Sequence, residues 1–239
     1  MIVYMKILGV DSTATAASAA VYADGKLLAV DFSNTGLTHS QTLLPMIDNV
    51  LKTARVSVND IDYFAVSNGP GSFTGVRIGV SAVKGLAQPL NKKCLGLSTL
   101  EVIAKPLENT GVYAVAVMDA RCNQVYTAQF DCRNGLERKT DDDAISIADL
   151  TEQLKSVDSR IMLIGDGALL CYNKMKEELP NIQIAPLNIR YQSASSVCLI
   201  ASEILEKDEN LSILPDELLP CYLRLSQAER ELNNKNKTN

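Results

Sequence analysis

The chain has 239 residues, 46% of them hydrophobic, and a formal charge of −5 from 23 Lys and Arg against 28 Asp and Glu. This composition excludes disorder over most of the length and allows one large domain or two small lobes. The acidic balance argues against strong unaided nucleic-acid binding. No apolar run approaches the roughly 18–20 residues of a membrane span, since the most hydrophobic segment, 112–118, is closed by Asp119. The N-terminus carries no basic segment followed by a long apolar one, so no secretion leader is expected, and Met5 offers an alternative start.

Taken from the N-terminus, Ile7-Leu8-Gly9-Val10-Asp11 reads as a strand ending in an aspartate. Residues 17–23 and 26–32 follow as two more strands joined by a turn at Asp24-Gly25. Leu43, Leu44, Ile47, Val50, Leu51 and Ala54 then fall on one stripe of a 3.6-period helix. Thr38 with Gln41 fits a capping box at its start, and Pro45 predicts a kink. A buried strand over 63–67 leads through the loop Asn68-Gly69-Pro70-Gly71-Ser72 into a helix running to about residue 90. On that helix Gly75, Gly79, Ala82 and Gly85 lie to one side and Val76, Val80, Val83 and Ala87 along an adjacent stripe. Since an interior glycine costs up to about 1 kcal/mol against alanine, close packing of another helix is the simplest reason for them.

Much of this pattern then returns. Residues 115–119 read as a strand ending in Asp119, 124–131 as the next strand and Asn134-Gly135 as the turn, so that Asp119 follows Asp11 by 108 residues and Gly135 follows Gly25 by 110. A helix over 146–154, a strand over 161–165, a turn at Asp166-Gly167, a helix to about residue 179, a strand over 182–185 and a helix over 194–207 complete the series. Self-similarity at this separation predicts a duplicated α/β fold in two lobes, 1–110 and 111–231, with mixed sheets flanked by helices and a disordered polar tail over 232–239.

Few residues suggest chemistry. Asp11-Ser12-Thr13 at a strand end either holds a hydrated Mg²⁺ beside a phosphate or is a plain turn, and the following residues 13–20 contain neither glycine nor a basic side chain to support the former. The residues after Asp119 lack glycine as well. The loop 68–72 either meets an anion at a helix N-terminus or serves a tight strand-to-helix turn. His39 is the only imidazole of the chain and precedes an amphipathic helix, where a capping or surface role outweighs general base catalysis. Cys94, Cys122, Cys132, Cys171, Cys198 and Cys221 form no C-x-x-C pair, so reduced, mostly buried thiols are expected and a zinc site is not.

The segments Ile7 through Thr13, His39-Ser40, Leu44-Pro45-Met46-Ile47 and above all Gly69-Pro70-Gly71-Ser72-Phe73-Thr74-Gly75-Val76-Arg77-Ile78-Gly79 resemble the bacterial TsaB (YeaZ) family, as does Pro220-Cys221-Tyr222-Leu223-Arg224. The resemblance runs from Ile7 to about Glu231. It implies the duplicated ASKHA (actin, sugar-kinase and Hsp70-like, RNase H-like) fold and a noncatalytic role in making threonylcarbamoyladenosine at position 37 of tRNA. The implied partners are the catalytic paralogue TsaD, a TsaE-like ATPase and, through the complex, tRNA, with a homodimer as the alternative when the partner is absent. No cofactor is implied for the chain alone, ATP or ADP being expected only in the assembled complex. The paralogue's metal-binding histidines correspond to Thr99 and Ile103, and isoleucine offers no donor, so no metal is expected. The expected docking face comprises His39, Leu43, Leu44, Ile47, Phe73, Val76, Arg77, Val80 and Val83, and Asp11, Ser12, Thr13 and Asp119 mark a vestigial phosphate site. The rival readings are an ASKHA small-molecule kinase and a metallopeptidase acting alone. A cytoplasmic protein without membrane association is expected.

Overall fold

A computed structural model describes residues 5–224; the expected polar tail lies outside the described residues. The first sheet has the order β3-β2-β1-β4-β5. It consists of β1 (Lys6–Asp11), β2 (Ala17–Ala23), β3 (Lys26–Ser33), β4 (Tyr63–Gly69) and β5 (Lys93–Ser98). Strand β1 pairs antiparallel with β2 and parallel with β4, and β5 runs parallel to β4. The second sheet has the order β11-β10-β6-β7-β8, built from β6 (Tyr113–Asp119), β7 (Gln124–Asp131), β8 (Glu137–Arg138), β10 (Ile161–Ile164) and β11 (Ile182–Ile184). The strand β9 (Asp143–Ser146) pairs with β7 beside β8. Each sheet therefore joins an antiparallel meander to a parallel half through its first strand, β1 in one and β6 in the other. This is the duplicated arrangement that the spacing of Asp11 and Asp119 anticipates and that the family resemblance implies as the ASKHA fold.

Helices cover both faces of each sheet. On one face of the first sheet lie α1 (His39–Ala54) and α2 (Phe73–Ala87), where Leu43, Met46, Ile47 and Val50 meet Val76, Val80 and Val83 over Leu8, Val10, Phe64 and Val66. On the other face lies α6 (Ala194–Lys207), whose Val197, Cys198 and Ala201 pack on Ile7, Ala20 and Ala65. The second sheet repeats the plan with α4 (Ile147–Leu154) and α5 (Ala168–Met175) on one face. Its other face is covered by α3 (Thr99–Ala104), through Leu100, Ile103 and Ala104. The lobes thus exchange helices, since α3 follows the first sheet in the chain and covers the second, while α6 follows the second and covers the first. Lys105 clamps the exchange, its Nζ lying 2.8 Å from Glu108 and 2.6 Å from Glu203 on α6.

Several local expectations are corrected. Thr38 caps α1 by position only, because its side chain makes no cap hydrogen bond, and the Gln41 N–H bonds the Thr38 carbonyl at 2.9 Å instead of its hydroxyl. The third strand of the second meander is divided into β8 and β9, and β5 and α3 have no counterpart among the expected elements.

The glycines of α2 serve a different neighbour from the helix expected. The Ser12 carbonyl oxygen occupies the space an added Cβ at Gly75 would take, and Gly79 faces the Ser12 hydroxyl and Val66, whereas at Gly85 nothing lies within 4 Å. The close approach is therefore to the backbone of the β1–β2 turn. Gly75→Ala is expected to lower the melting temperature sharply, at a cost of about 2 kcal/mol or more from backbone displacement. Gly85→Ala should raise stability by up to about 1 kcal/mol through helix propensity. A thermal or urea melt of the two variants checks both signs.

Candidate functional site

Two cavities flank the N-terminal end of α2. The first is a cleft of about 680 Å³ between the lobes, with Thr13 and Thr15 from the β1–β2 turn and Gly71 and Ser72 from the loop before α2 on one side. Asp119, Arg121 and Asp166 from the second sheet lie on the other, and Tyr222 and Arg224 at one edge. The two aspartates that end β1 and β6 make the same Asx turn. Thr13 donates both its N–H and its hydroxyl to Asp11 Oδ1 at 2.9 Å, and the Arg121 N–H bonds Asp119 Oδ1 at 2.7 Å.

Their surroundings differ. Asp119 is exposed beside the cleft, while Asp11 has 0% exposure. Burial pushes the Asp11 carboxyl up to about 6 against the hydrogen bonds from Thr13 and the charge of His39, which lower it. Its Oδ2 has no hydrogen-bond partner among the described residues, nor has the Ser67 hydroxyl. On the opposite wall Asp166 is also held at about 6, chiefly by burial and also by the nearby Asp119 charge. Its Oδ1 accepts the Asp119 N–H at 3.3 Å.

His39 is bound rather than poised. Its Nε2 lies 2.6 Å from the Ala14 carbonyl; because a carbonyl only accepts, Nε2 carries the proton, and the ring ties the start of α1 to the β1–β2 turn. Ser12 and Thr13 are buried with Asp11, Ser12 donating its hydroxyl to the Gly75 carbonyl at 2.8 Å. Thr99 and Ile103 are fully buried on α3, Ile103 packing under the second sheet. No group of three or more His, Cys, Asp or Glu able to hold a metal occurs among the described residues. Cys94, Cys132, Cys171 and Cys198 are buried and Cys122 and Cys221 exposed. Burial pushes the first two thiols up to about 11 and the next two to about 12, so these four are inert at neutral pH.

The second cavity is a groove of about 620 Å³ between α1 and α2, lined by His39, Leu43, Leu44, Phe73, Arg77, Ile78 and Ala82 with three small hydroxyl side chains. Of the residues expected to form a docking face, His39, Leu43, Leu44, Phe73 and Arg77 line it. Leu43, Ile47, Val76, Val80 and Val83 are buried in the chain's own core, because the α1 and α2 stripes that face each other also face the sheet. Only Leu43 of these five lines the groove. Leu44, one position on, is 55% exposed, Arg77 is exposed, and Phe73 and His39 are half-buried.

Between the two cavities lies a feature the sequence reading used only as a family resemblance. After α6 the chain returns along the first lobe as a strap over 208–224. Ile213 pairs with Cys94 on the free edge of β5, Leu218 is buried in the first core, and the Cys221 N–H bonds the Asn68 carbonyl at 2.7 Å. At Gly69, with φ +128°, an added Cβ would strike the Cys221 carbonyl. Tyr222 then stacks on Phe73 with ring centres 4.7 Å apart, and Arg224 crosses the cleft to bond the Ala120 carbonyl at 2.9 Å.

A family model described as "TsaD: tRNA N6-adenosine threonylcarbamoyltransferase" matches residues 33–229. The tRNA threonylcarbamoyladenosine biosynthesis protein TsaB of Escherichia coli (strain K12) is 29% identical over 235 residues, which cover 97% of this chain and 100% of that protein. The tRNA N6-adenosine threonylcarbamoyltransferase of Brachyspira hyodysenteriae is 35% identical over 109 residues, covering 39% of this chain and 32% of that protein. The solved structure of YeaZ from Pseudomonas aeruginosa superposes with a TM-score of 0.73 at 23% identity, covering 92% of this chain and 100% of that one.

The burial of Asp11 has a measurable consequence. A folded chain that holds its proton up to about pH 6, against an ordinary value of 3.8, loses stability as pH rises through that window, by of order 2–3 kcal/mol. Asp11→Asn keeps an oxygen for the Thr13 bonds and removes the charge. It is expected to melt higher than the parent at pH 8, to melt close to it at pH 4, and to flatten the stability profile between pH 4 and 6. Equal melting at every pH would contradict the assignment.

Proposed function

The chain belongs to the TsaB/YeaZ family of tRNA threonylcarbamoyladenosine biosynthesis proteins, and from that premise we propose that it acts as a noncatalytic subunit that docks a TsaD-type transferase in the groove between α1 and α2. It has a role in forming threonylcarbamoyladenosine in tRNA.

The observation that carries the reading is the contrast between the two cavities. In the cleft, where an ASKHA enzyme works, the first lobe's aspartate is sealed off with 0% exposure and the chain's one imidazole is committed to a backbone carbonyl. A carboxylate out of reach of solvent cannot orient a metal-bound phosphate, and a ring whose N–H is spent on the β1–β2 turn is poorly placed as a base. The groove offers an apolar floor instead, with Leu44 and Phe73 standing where a second helix would cover them. Docking there acts through conformation: a subunit that binds one state of the transferase more tightly shifts its population by the ratio of the two affinities.

The supply of ATP hydrolysis by a TsaE-like ATPase, the capture of tRNA by the whole assembly and a cytoplasmic location belong to the same proposal. They accord with a −5 chain and with the finding that no helix among the described residues is long and apolar enough to cross a membrane. A homodimer through the same groove is the expected state when the transferase is absent.

Leu44→Asp places a charge on an exposed position of the groove and should weaken the complex with the transferase at least about 10-fold, measured by calorimetric titration, while circular dichroism stays native. Val80→Asp, at 3% exposure, should unfold the chain, since it buries an unpaired carboxylate. Turnover of ATP or of a peptide by the isolated chain would overturn the reading.

A further inference from the structure

Arg77 is an exposed side chain that the structure nevertheless holds in one place. Its guanidinium carbon lies 3.8 Å from the centre of the Phe73 ring, one turn earlier on α2. Its Nε donates to the Tyr222 hydroxyl at 2.8 Å, and the Tyr222 ring is itself stacked on Phe73. Tyr222 is fixed in turn by the strap, which Lys84 binds at the Asp216 and Leu218 carbonyls, 3.3 and 3.2 Å away. Asn68 binds it at the Leu219 carbonyl, 2.9 Å away. An exposed arginine gives up much rotamer freedom in such an arrangement. Its two terminal nitrogens make no hydrogen bond or ion pair among the described residues, and Arg77 alone carries a formal charge among the residues lining the groove.

We propose that Tyr222 is a positioning residue that sets Arg77 as a ready-made fork for a carboxylate on the helix that occupies the α1/α2 groove. The occupant is an amphipathic helix of the TsaD-type transferase that lays apolar side chains on Leu43, Leu44 and Ile78 and places an Asp or Glu against Arg77; this rests on the docking reading above. A guanidinium whose Nε is taken and whose carbon lies over the Phe73 ring still presents its outer nitrogens, which match the two oxygens of a carboxylate. Preorganisation removes the ordering cost from the binding step. A phosphate would also fit the fork, but a nucleic-acid surface supplies several cations, and here the single charge borders apolar side chains.

The full chain is titrated with the full-length transferase of the same organism at about 50 and 300 mM NaCl. Arg77→Ala is expected to weaken the complex about 10-fold or more at low salt and to flatten the salt dependence of Kd, since one ion pair is lost. Arg77→Lys, which keeps the charge without the planar fork, should recover only part of the affinity. Tyr222→Phe keeps the stacked ring, loses the acceptor for Nε, and should weaken binding about 3-fold with the salt dependence retained.

Should Tyr222→Ala fail to fold, Tyr222→Phe decides. If the parent binds and Arg77→Ala matches it in Kd and salt dependence, the carboxylate fork is overturned and docking stands. If Arg77→Ala weakens binding and Tyr222→Phe does not, the positioning role is overturned. If Arg77→Ala leaves the transferase affinity unchanged and weakens capture of tRNA by the complex, the fork serves a phosphate and the proposal fails. A parent chain that does not bind the transferase overturns docking and the fork together.

Discussion

The β1–β2 turn and the start of α2 meet backbone to backbone. Ser12 donates its hydroxyl to the Gly75 carbonyl at 2.8 Å, the Ser72 N–H bonds the Thr13 carbonyl at 2.7 Å, and no side chain separates them because positions 75 and 79 have none. This contact fixes how far α2 advances over the sheet, and both cavities depend on it. The same helix start forms one wall of the interlobe cleft, through Gly71, Ser72 and Phe73. One turn later its Phe73, Arg77 and Ile78 form a wall of the groove. It also explains the burial of Asp11: once α2 sits against Ser12 and Thr13, the carboxylate just before them has no path to solvent.

The exchange of α3 and α6 distributes stability unevenly along the chain. Each lobe depends on a helix from the other part of the sequence for one face of its sheet, so the first sheet is not covered on both faces until the chain has passed residue 194, whereas the cover of the second begins with α3, before its first strand. The Lys105 link to Glu108 and Glu203 lies at the crossing, and the strap adds a second tie where Arg224 reaches Ala120. Lobes tied together in this way accord with the proposed docking role, because every ordering step completed before docking is removed from the cost of docking.

Strand and helix positions were largely legible in the sequence because they follow from patterns of two or three and a half residues and from turns with strong local chemistry. Strand β2 and helix α6 begin and end where an apolar run, the helical spacing of apolar side chains and the flanking residues place them. Strand β5 was not, since Lys93-Cys94-Leu95-Gly96-Leu97-Ser98 is short, contains glycine and follows two polar residues. Periodicity also could not divide Leu43 from Leu44: adjacent apolar residues fit one broad stripe, and only the position of the sheet sends the first inward and leaves the second in the groove. The glycines of α2 signalled a close approach correctly, but spacing along a helix carries no information on whether the neighbour is a helix or a turn. The place of Tyr222 lacked any local signal, since its contacts are with residues 145 and 149 positions earlier, Arg77 and Phe73.

The duplicated Asx turns separate what a motif fixes from what its surroundings fix. Asp11 and Asp119 end equivalent strands and accept the same backbone N–H two residues on, so local chemistry is preserved in both. The first is enclosed because α1 is drawn over its turn by the bond from His39 to Ala14 and α2 by Ser12. The second turn is held by two helices as well, the Ile147 N–H of α4 bonding the Asn123 carbonyl at 3.0 Å and Lys174 Nζ of α5 lying 2.7 Å from Asn123 Oδ1, but these bonds engage its far end and leave Asp119 exposed. The first turn anchors its helices through Ser12, Thr13 and Ala14, directly after Asp11, so the space its carboxylate would need for a ligand is the space the anchoring fills. The groove between those helices is thus formed by the same contacts that close the first lobe's half of the cleft.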